Sequence, residues 1–350
     1  MQRNIALRRH NANHVRWKLD AEKCYNFPMK RRFPTVFVIL CLIACSHAIA
    51  EERIETLKVG VIMGSSGIGM AHLMVNPPVI PNTKIIFEKA GSIDVLLPKF
   101  VNGDIDIGIL PPNVAAKLYS MAPKSIAVAS IVGNSMLSIV TRDPSIASLR
   151  DLNGKTVFVA GQGSTPEYVL RTLLAKSGIP EGSVRLDFSL PYQEIAAALA
   201  SGKIAYALIP EPFTTVAIMN APKSSPLRRA FTLRALWDAA GLGADFPMTL
   251  CVVKRDYAQK NPDKVTRFLA AYRYSIAWTQ AHPDEAGPLV ESSGLGLKAA
   301  VASQAIPSCS FVWIEANAAK KPIESLLSVF LVYAPESIGG KLPDEGFYLK

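Results

Sequence analysis

Beyond residue 55 the chain alternates short apolar runs with stretches whose apolar positions recur at helical spacing. Residues 57–62 read as a buried strand ending at Gly64-Ser65-Ser66-Gly67, with a helical stretch to about Val75. Residues 84–87 form a short strand. Residues 93–101 form a helix with Val95, Leu96, Phe100 and Val101 on one face and a stop at Asn102-Gly103. A strand at 105–110 is halted by Pro111-Pro112. The same series then recurs. A strand at 156–160 ends at Gly161-Gln162-Gly163-Ser164, and a helix follows at 166–176. Ser164 and Glu167 have the spacing of a capping box, Pro166 suits a first turn and Gly178 a C-terminal stop. A strand at 184–190, a helix at 192–200 ending at Ser201-Gly202, and a strand at 204–209 halted by Pro210-Glu211-Pro212 complete the second pass. Alternation of this kind predicts parallel sheets with crossover helices.

The two passes hold a nearly fixed register. The segment from Asn102 to Pro112 precedes the segment from Ser201 to Glu211 by 99 residues, and Gly64 precedes Gly161 by 97. A helix stop, a strand and a proline matching together predict two similar α/β lobes. Residues 138–141 read as a strand-like crossover between them, and residues 248–253 as a strand returning to the first lobe. The remainder reads as helices at 262–281, 283–291, 297–305 and 322–332 packed on that lobe. The expected division is a leader over 1–50, a discontinuous first lobe over 55–140 and 250–350, and a second lobe over 141–249. The fold class is α/β, with two Rossmann-like lobes joined by two crossover strands. A cleft between the lobes, faced by strand C-termini and helix N-termini, is where open α/β sheets bind ligands, and two crossovers permit hinge closure.

Charge changes this picture little. The formal net charge of +10 invites a nucleic-acid reading, but residues 1–50 hold nine Lys/Arg against two Asp/Glu, and the remainder holds 29 against 26. The body is nearly neutral and has no basic stripe of the kind that tracks phosphates. The leader has the form of an export signal: a basic Met29-Lys30-Arg31-Arg32, an apolar 34–44, and Ala48-Ile49-Ala50 as a cleavage site. Leu42-Ile43-Ala44-Cys45 also has the form of a lipobox, which would lipidate Cys45. Cleavage and lipid anchoring both stay open, as does an uncleaved anchor and a start at Met1 or Met29. All place the body outside the cytoplasm. Cys251 and Cys309 sit in apolar runs and read as two buried thiols. His72 and His282 are far apart, and no cluster has metal-ligand spacing, so neither a metal nor a cofactor is expected.

The candidate chemistry lies in two matched loops. Ser65-Ser66-Gly67 and Gly163-Ser164-Thr165 each follow a strand and open a helix, so they can offer free N–H groups and hydroxyls to a ligand or serve only as N-caps. Neither loop has dinucleotide or P-loop spacing. Glu211 reads as an acceptor for ligand N–H groups or as a first-turn acid favoured by the helix dipole. Of Tyr192, Phe213, Trp237 and Phe246, Tyr192 is the aromatic selected to stack on a ligand. The expected cleft loops contain no Arg or Lys, which leans away from a dianion and toward a neutral, zwitterionic or amine-bearing ligand.

Several stretches resemble the SsuA/THI5-like (NMT1) solute-binding proteins. They are 151–157 with 161–168, 197–203 with Pro210-Glu211-Pro212-Phe213, and 338–344, so that the resemblance runs from about Leu57 to the end. It implies a type II periplasmic-binding-protein fold and a monomer that carries a small solute to an ABC permease in the inner membrane. The implied ligands are aliphatic sulfonates, nitrate, taurine or thiamine-pyrimidine precursors. It also implies ligand contacts at Ser65-Ser66, Gly91-Ser92, Pro112-Asn113, Gly163-Ser164-Thr165 and Glu211. The family's pyrimidine synthases carry a Cys-rich iron motif that is absent here, so the enzyme alternative, together with a menaquinone-pathway one, ranks below binding. A periplasmic sensor of the same solute is a third alternative.

Overall fold

The computed structural model describes residues 54–350. The expected leader, its start at Met1 or Met29 and Cys45 lie outside the described residues.

The chain first lays down β1 (Glu55–Ile62), the short helices α1 (Ser65–Ile68) and α2 (Ala71–Val75), β2 (Thr83–Ala90), α3 (Ile93–Asn102), β3 (Ile107–Leu110), α4 (Pro112–Met121) and β4 (Ile126–Asn134). After Ser135-Met136 it continues as β5 (Leu137–Thr141), β6 (Thr156–Val159), α5 (Thr165–Lys176), β7 (Arg185–Asp187), α6 (Tyr192–Ser201), β8 (Tyr206–Pro210), α7 (Phe213–Asn220), β9 (Arg228–Thr232) and α8 (Leu233–Ala239). It returns as β10 (Pro247–Lys254), followed by α9 (Arg255–Lys260), α10 (Pro262–Ala281), α11 (Pro283–Ser292), α12 (Ala299–Ala305), β11 (Phe311–Glu315) and α13 (Ala316–Tyr333).

The first sheet runs β11-β4-β10-β3-β1-β2 and the second β7-β6-β8-β5-β9. In each, three parallel strands come from one pass of the repeat: β2-β1-β3 and β7-β6-β8. The next strand is antiparallel in both, β10 against β3 and β5 against β8. That strand is supplied each time by chain that has just arrived from the other sheet. The crossing therefore falls at Ser135-Met136, ahead of the expected 138–141 span, and residues 137–141 belong to the second sheet.

The repeat is exact in its helix ends. α3 and α6 each have ten residues, 99 apart, and close on Gly103 (φ 85°) and Gly202 (φ 78°). Asp104 N donates to Lys99 O and Gly103 N to Phe100 O, matching Lys203 N to Ala198 O and Gly202 N to Leu199 O. This left-handed cap satisfies the last carbonyls and demands glycine, because a Cβ is disfavoured there. The buried face of α3 is narrower than expected. Leu96 and Phe100 are buried, but Val95 and Val101 are 55 % and 60 % exposed. Leu96 and Phe100 are one turn apart, whereas Val95 and Val101 sit to either side of that stripe.

Three strands, β4, β9 and β11, and four helices, α4, α7, α8 and α9, escape the sequence pattern. β4 is buried along its whole length, so it shows no alternation, and its Ala, Ser and Gly dilute the apolar signal. β9 and β11 are short edge strands. The prolines expected to halt strands do so, since β3 ends at Leu110 and β8 at Pro210, and they also lead into helices: Pro112 begins α4, and Pro212 precedes α7. The expected strand at 184–190 shrinks to Arg185–Asp187.

One buried cluster runs from Phe100 and Leu110 through Leu137 to Val157 and Leu208, and so joins the two sheets. α13 contributes Ile323, Leu326, Leu327 and Phe330 to it. Tyr168 of α5 meets Phe330 edge-on at 5.1 Å and stacks on Tyr333 at 5.5 Å. Cys251 and Cys309 are buried and free. Among the described residues no helix is long and apolar enough to cross a membrane.

Phe100 is 2 % exposed, and a Cβ on Gly108 would come within 2.5 Å of its ring. Phe100→Ala is expected to cost about 3–5 kcal/mol, whereas Val95→Ala should stay within about 0.5 kcal/mol. Urea denaturation with an unchanged slope checks both.

Candidate functional site

A cavity of about 220 Å³ opens where the chain crosses between the sheets. The first crossing supplies Ser135, Met136, Leu137 and Ser138. The second lobe supplies Glu211, Arg229, Thr232 and Arg234, and the segment before β11 supplies Ser308 and Ser310. Strand pairing brings these pieces together. Pro247 pairs with Asn134 and Thr249 with Gly133, so the outgoing and returning chain run side by side. Asn134 N donates to Ser310 O at 3.0 Å, which fixes the third wall. Glu211 N donates to Met136 O at 3.1 Å, which fixes the end of β8 against the crossing.

Glu211 is 1 % exposed. Its Oε2 accepts from Thr215 N at 3.2 Å and Thr215 Oγ1 at 2.7 Å. Its Oε1 accepts from Arg229 Nε at 3.1 Å and from Arg229 Nη2. Arg229 Nη2 also donates to Thr215 Oγ1 at 3.0 Å, closing a ring of three side chains. Four donors use the acceptor capacity of the carboxylate. The structure therefore changes the expected role of Glu211: it holds a guanidinium by one edge and has no lone pair to offer a ligand. Arg229 keeps 34 % of its side chain in solvent, and its Nη1 group has no partner among the described residues. Arg229 lies on the cavity wall.

A second arginine is held more loosely. Arg234 Nε lies 3.2 Å from Asp245 Oδ2, with 60 % of the arginine side chain exposed and 10 % of the aspartate. Asp245 Oδ1 accepts from Phe246 N at 2.8 Å and from Ser135 N at 3.3 Å. Burial raises the Asp245 carboxyl above its usual range, opposed by the Phe246 N–H, the Arg234 charge, and the Ser135 and Asn134 hydrogen bonds. Ser135 Oγ is buried without a partner among the described residues. The side-chain polarity left over in the cavity is thus rich in N–H and O–H donors.

Of the residues selected from sequence, Glu211 lies on the wall of this cavity. Ser66 Oγ lies 3.4 Å from Thr249 Oγ1, and Thr249 and Met136 flank Gly133, so Ser66 stands one side chain from the cavity lining. Ser65 and Ser66 open a helix of only four residues. Gly67 is a packing position: a Cβ there would come within 2.8 Å of Ile62 O and of the Leu295 side chain. Ser92 precedes α3 without a side-chain cap, Pro112 is the buried start of α4, and Asn113 follows it half-buried. In the second loop the capping box does not form. The Ser164 hydroxyl donates to Gly161 O, while Glu167 accepts from Gly163 N at 2.7 Å and pairs with Arg171 at 2.8 Å. The Gly163 N–H expected to meet a ligand is therefore taken, and Thr165 is buried. Tyr192 stacks on Phe213 at 5.3 Å, and burial pushes its phenol up to about 12. Trp237 and Phe246 are fully buried against one another at 4.9 Å, so they serve the core.

Arg229, Arg234, Thr232, Ser135, Ser138, Ser308 and Ser310 escaped the sequence reading; the loops selected there hold no arginine, whereas the cavity wall holds Arg229 and Arg234. Their signal was present but weak: Arg228-Arg229-Ala230-Phe231-Thr232 follows the proline-flanked 222–226.

Two α/β lobes that each lend the other a strand, with a polar cavity at the crossings, define a binding protein of the periplasmic solute-binding fold. The chain belongs to the NMT1/THI5 like family, whose model matches residues 95–286, more than half of its length. The structure is similar to that of an ABC transporter from Parabacteroides distasonis, at 27 % identity and a TM-score of 0.73, covering 84 % of this chain and 99 % of that one. It is also similar to the periplasmic aliphatic sulphonate binding protein SsuA from Escherichia coli, at 19 % identity and a TM-score of 0.66, covering 82 % and 95 %. A third similar structure is the alkanesulfonate-binding protein SsuA from Xanthomonas axonopodis bound to MOPS, at 18 % identity and a TM-score of 0.60, covering 83 % and 96 %. Comparison with curated protein sequences finds no match.

Glu211→Ala would leave Arg229 without its partner and Thr215 without its acceptor. The expected loss is about 2–3 kcal/mol of stability in ligand-free protein, below the range for a fully buried pair because Arg229 is partly hydrated. Denaturant unfolding of the variant against wild type checks it.

Proposed function

We propose that the protein is the extracytoplasmic solute-binding component of an ABC importer, without enzymatic activity, and that it captures a small organic oxyanion in the cavity at the crossings. The observation that carries this reading is Arg229. Its Nε and Nη2 are held by Glu211 and Thr215, which leaves Nη1 without a partner, and the residue shares a cavity wall with Ser135, Ser138, Thr232, Ser308 and Ser310. A guanidinium held in place is pre-organised to donate from Nη1 to a carboxylate or sulfonate oxygen, so little side-chain entropy is lost on binding. Hydroxyl donors around it suit the remaining oxygens.

Donor-rich walls favour a simple sulfonate or nitrate over the amine-bearing taurine and pyrimidine precursors, which need acceptors that Glu211 no longer supplies. The sulfonate binding of the two similar SsuA proteins agrees with a sulfonate. The two crossings beside the cavity would serve as the hinge, and closure of the lobes on the ligand would form the surface that docks on the permease. The protein would work as a monomer outside the cytoplasm.

Thermal-shift and calorimetric titration of the body against ethanesulfonate, taurine, nitrate, an aminopyrimidine and thiamine tests the reading. A ligand present at 100 times its Kd adds about 2.7 kcal/mol of stability, a readily measured rise in Tm. The anions are expected to give that rise and the pyrimidines none. Arg229→Lys keeps a cation beside Glu211 but loses the Nη1 donor, and should weaken anion binding at least about tenfold. Stabilisation by the pyrimidines alone, or undiminished anion binding in Arg229→Lys, would sink the proposal.

A further inference from the structure

The cavity's two cations are neutralised in different ways. Arg229 is tied to Glu211 by two of its nitrogens, within a three-residue ring. Arg234 reaches Asp245 through one nitrogen, and most of its side chain is in water. Asp245 belongs to the segment that carries the chain back to the first sheet. Its Oδ1 accepts from a backbone N–H of each crossing, Ser135 and Phe246, and its Oδ2 faces Arg234. A single, largely buried carboxylate therefore touches both crossings and a cavity cation.

We propose that Asp245 sets the anion affinity of the cavity: ionised, it cancels Arg234 and ties it to the crossings, and protonated, it releases Arg234 to the ligand, so that oxyanions bind more tightly in acid than at neutral pH. The inference rests on the oxyanion reading of the cavity. Its direction follows from charge. With both carboxylates ionised, the two arginines are compensated and an incoming anion meets hydrogen-bond donors with no net positive charge. A proton on Asp245 leaves one positive charge uncompensated at the cavity wall. The carbonyl oxygen of the neutral acid still accepts from Ser135 and Phe246, so the crossings stay joined while the ion pair is lost. Burial of the carboxyl promotes this protonation above the usual aspartate range.

The groups facing Asp245 are Arg234 of α8 and Asn134 and Ser135 of the first crossing. Across the cavity, Glu211 and Arg229 are each other's partners. Of the histidines of the described body, His72 lies tilted against Trp278 at 4.4 Å and His282 stacks on it at 4.9 Å, and neither lines the cavity.

The test uses ethanesulfonate, which stays ionised throughout, with wild type and Asp245→Asn titrated calorimetrically from about pH 7 to about pH 4.5. In parallel, the Arg234 Nε–H resonance of ligand-free protein is followed by NMR over the same range. Wild-type affinity is expected to rise about three- to tenfold on acidification, the size of one partly screened charge at close range. Asp245→Asn should hold the acid-form affinity at every pH, and its Arg234 signal should not titrate. Binding that is intact but equally strong at both ends of the range, or an Asn variant that matches wild type at neutral pH, overturns the inference. An Arg234 signal that titrates in wild type while ethanesulfonate fails to bind at any pH overturns the oxyanion reading and supports the release of Arg234.

Discussion

A carboxylate with 1 % of its surface in water cannot be left alone. Glu211 stands at the end of a buried strand, and isolating its charge there would cost far more than one fold can supply. Neutralising it requires a cation and further donors at fixed places. Thr215, one helical turn on in α7, supplies two donors, and Arg229 on β9 supplies the charge. That demand holds β9 at the edge of the second sheet, places a guanidinium on the cavity wall, and leaves its Nη1 without a partner. The polarity of the site is thus a by-product of solving a burial problem in the fold.

The repeat shows why only one lobe does this. Pro111-Pro112 and Pro210-Glu211 occupy equivalent places, 99 residues apart, after equivalent strands β3 and β8. In the first lobe the second of these positions is a buried proline that starts a helix and makes no electrostatic demand. In the second it is the glutamate that recruits Arg229. A duplicated scaffold has become asymmetric at one residue, and the cavity's charged wall lies wholly on the second-lobe side, with hydroxyls from the crossing and from the chain before β11 opposite.

How much of this was legible follows the same division between local and distant causes. Helix stops at Gly103 and Gly202, the strands beside them and the twofold recurrence are written in near-neighbour chemistry, and they read correctly. β4 could not be read by alternation because both its faces are buried. Glu211 stood out between two prolines, yet its meaning depended on an arginine 18 residues away in a strand disguised by proline-flanked chain. Gly163 and Ser164 looked free because Glu167, four residues on from Gly163, was assigned to a cap that it does not make. The sequence shows which groups can bond, but which bonds are already taken is settled only by packing.

The exchange of strands has a mechanical consequence. Residues 222–226 form an exposed stretch between α7 and β9. Everything after it contributes β9 to the edge of the second sheet, β10 to the middle of the first and β11 to its far edge. A protease that nicked the backbone there would not release a lobe. Each fragment would still be threaded through a sheet of the other, so the severed molecule would migrate as one particle until its hydrogen-bonded strands were melted apart.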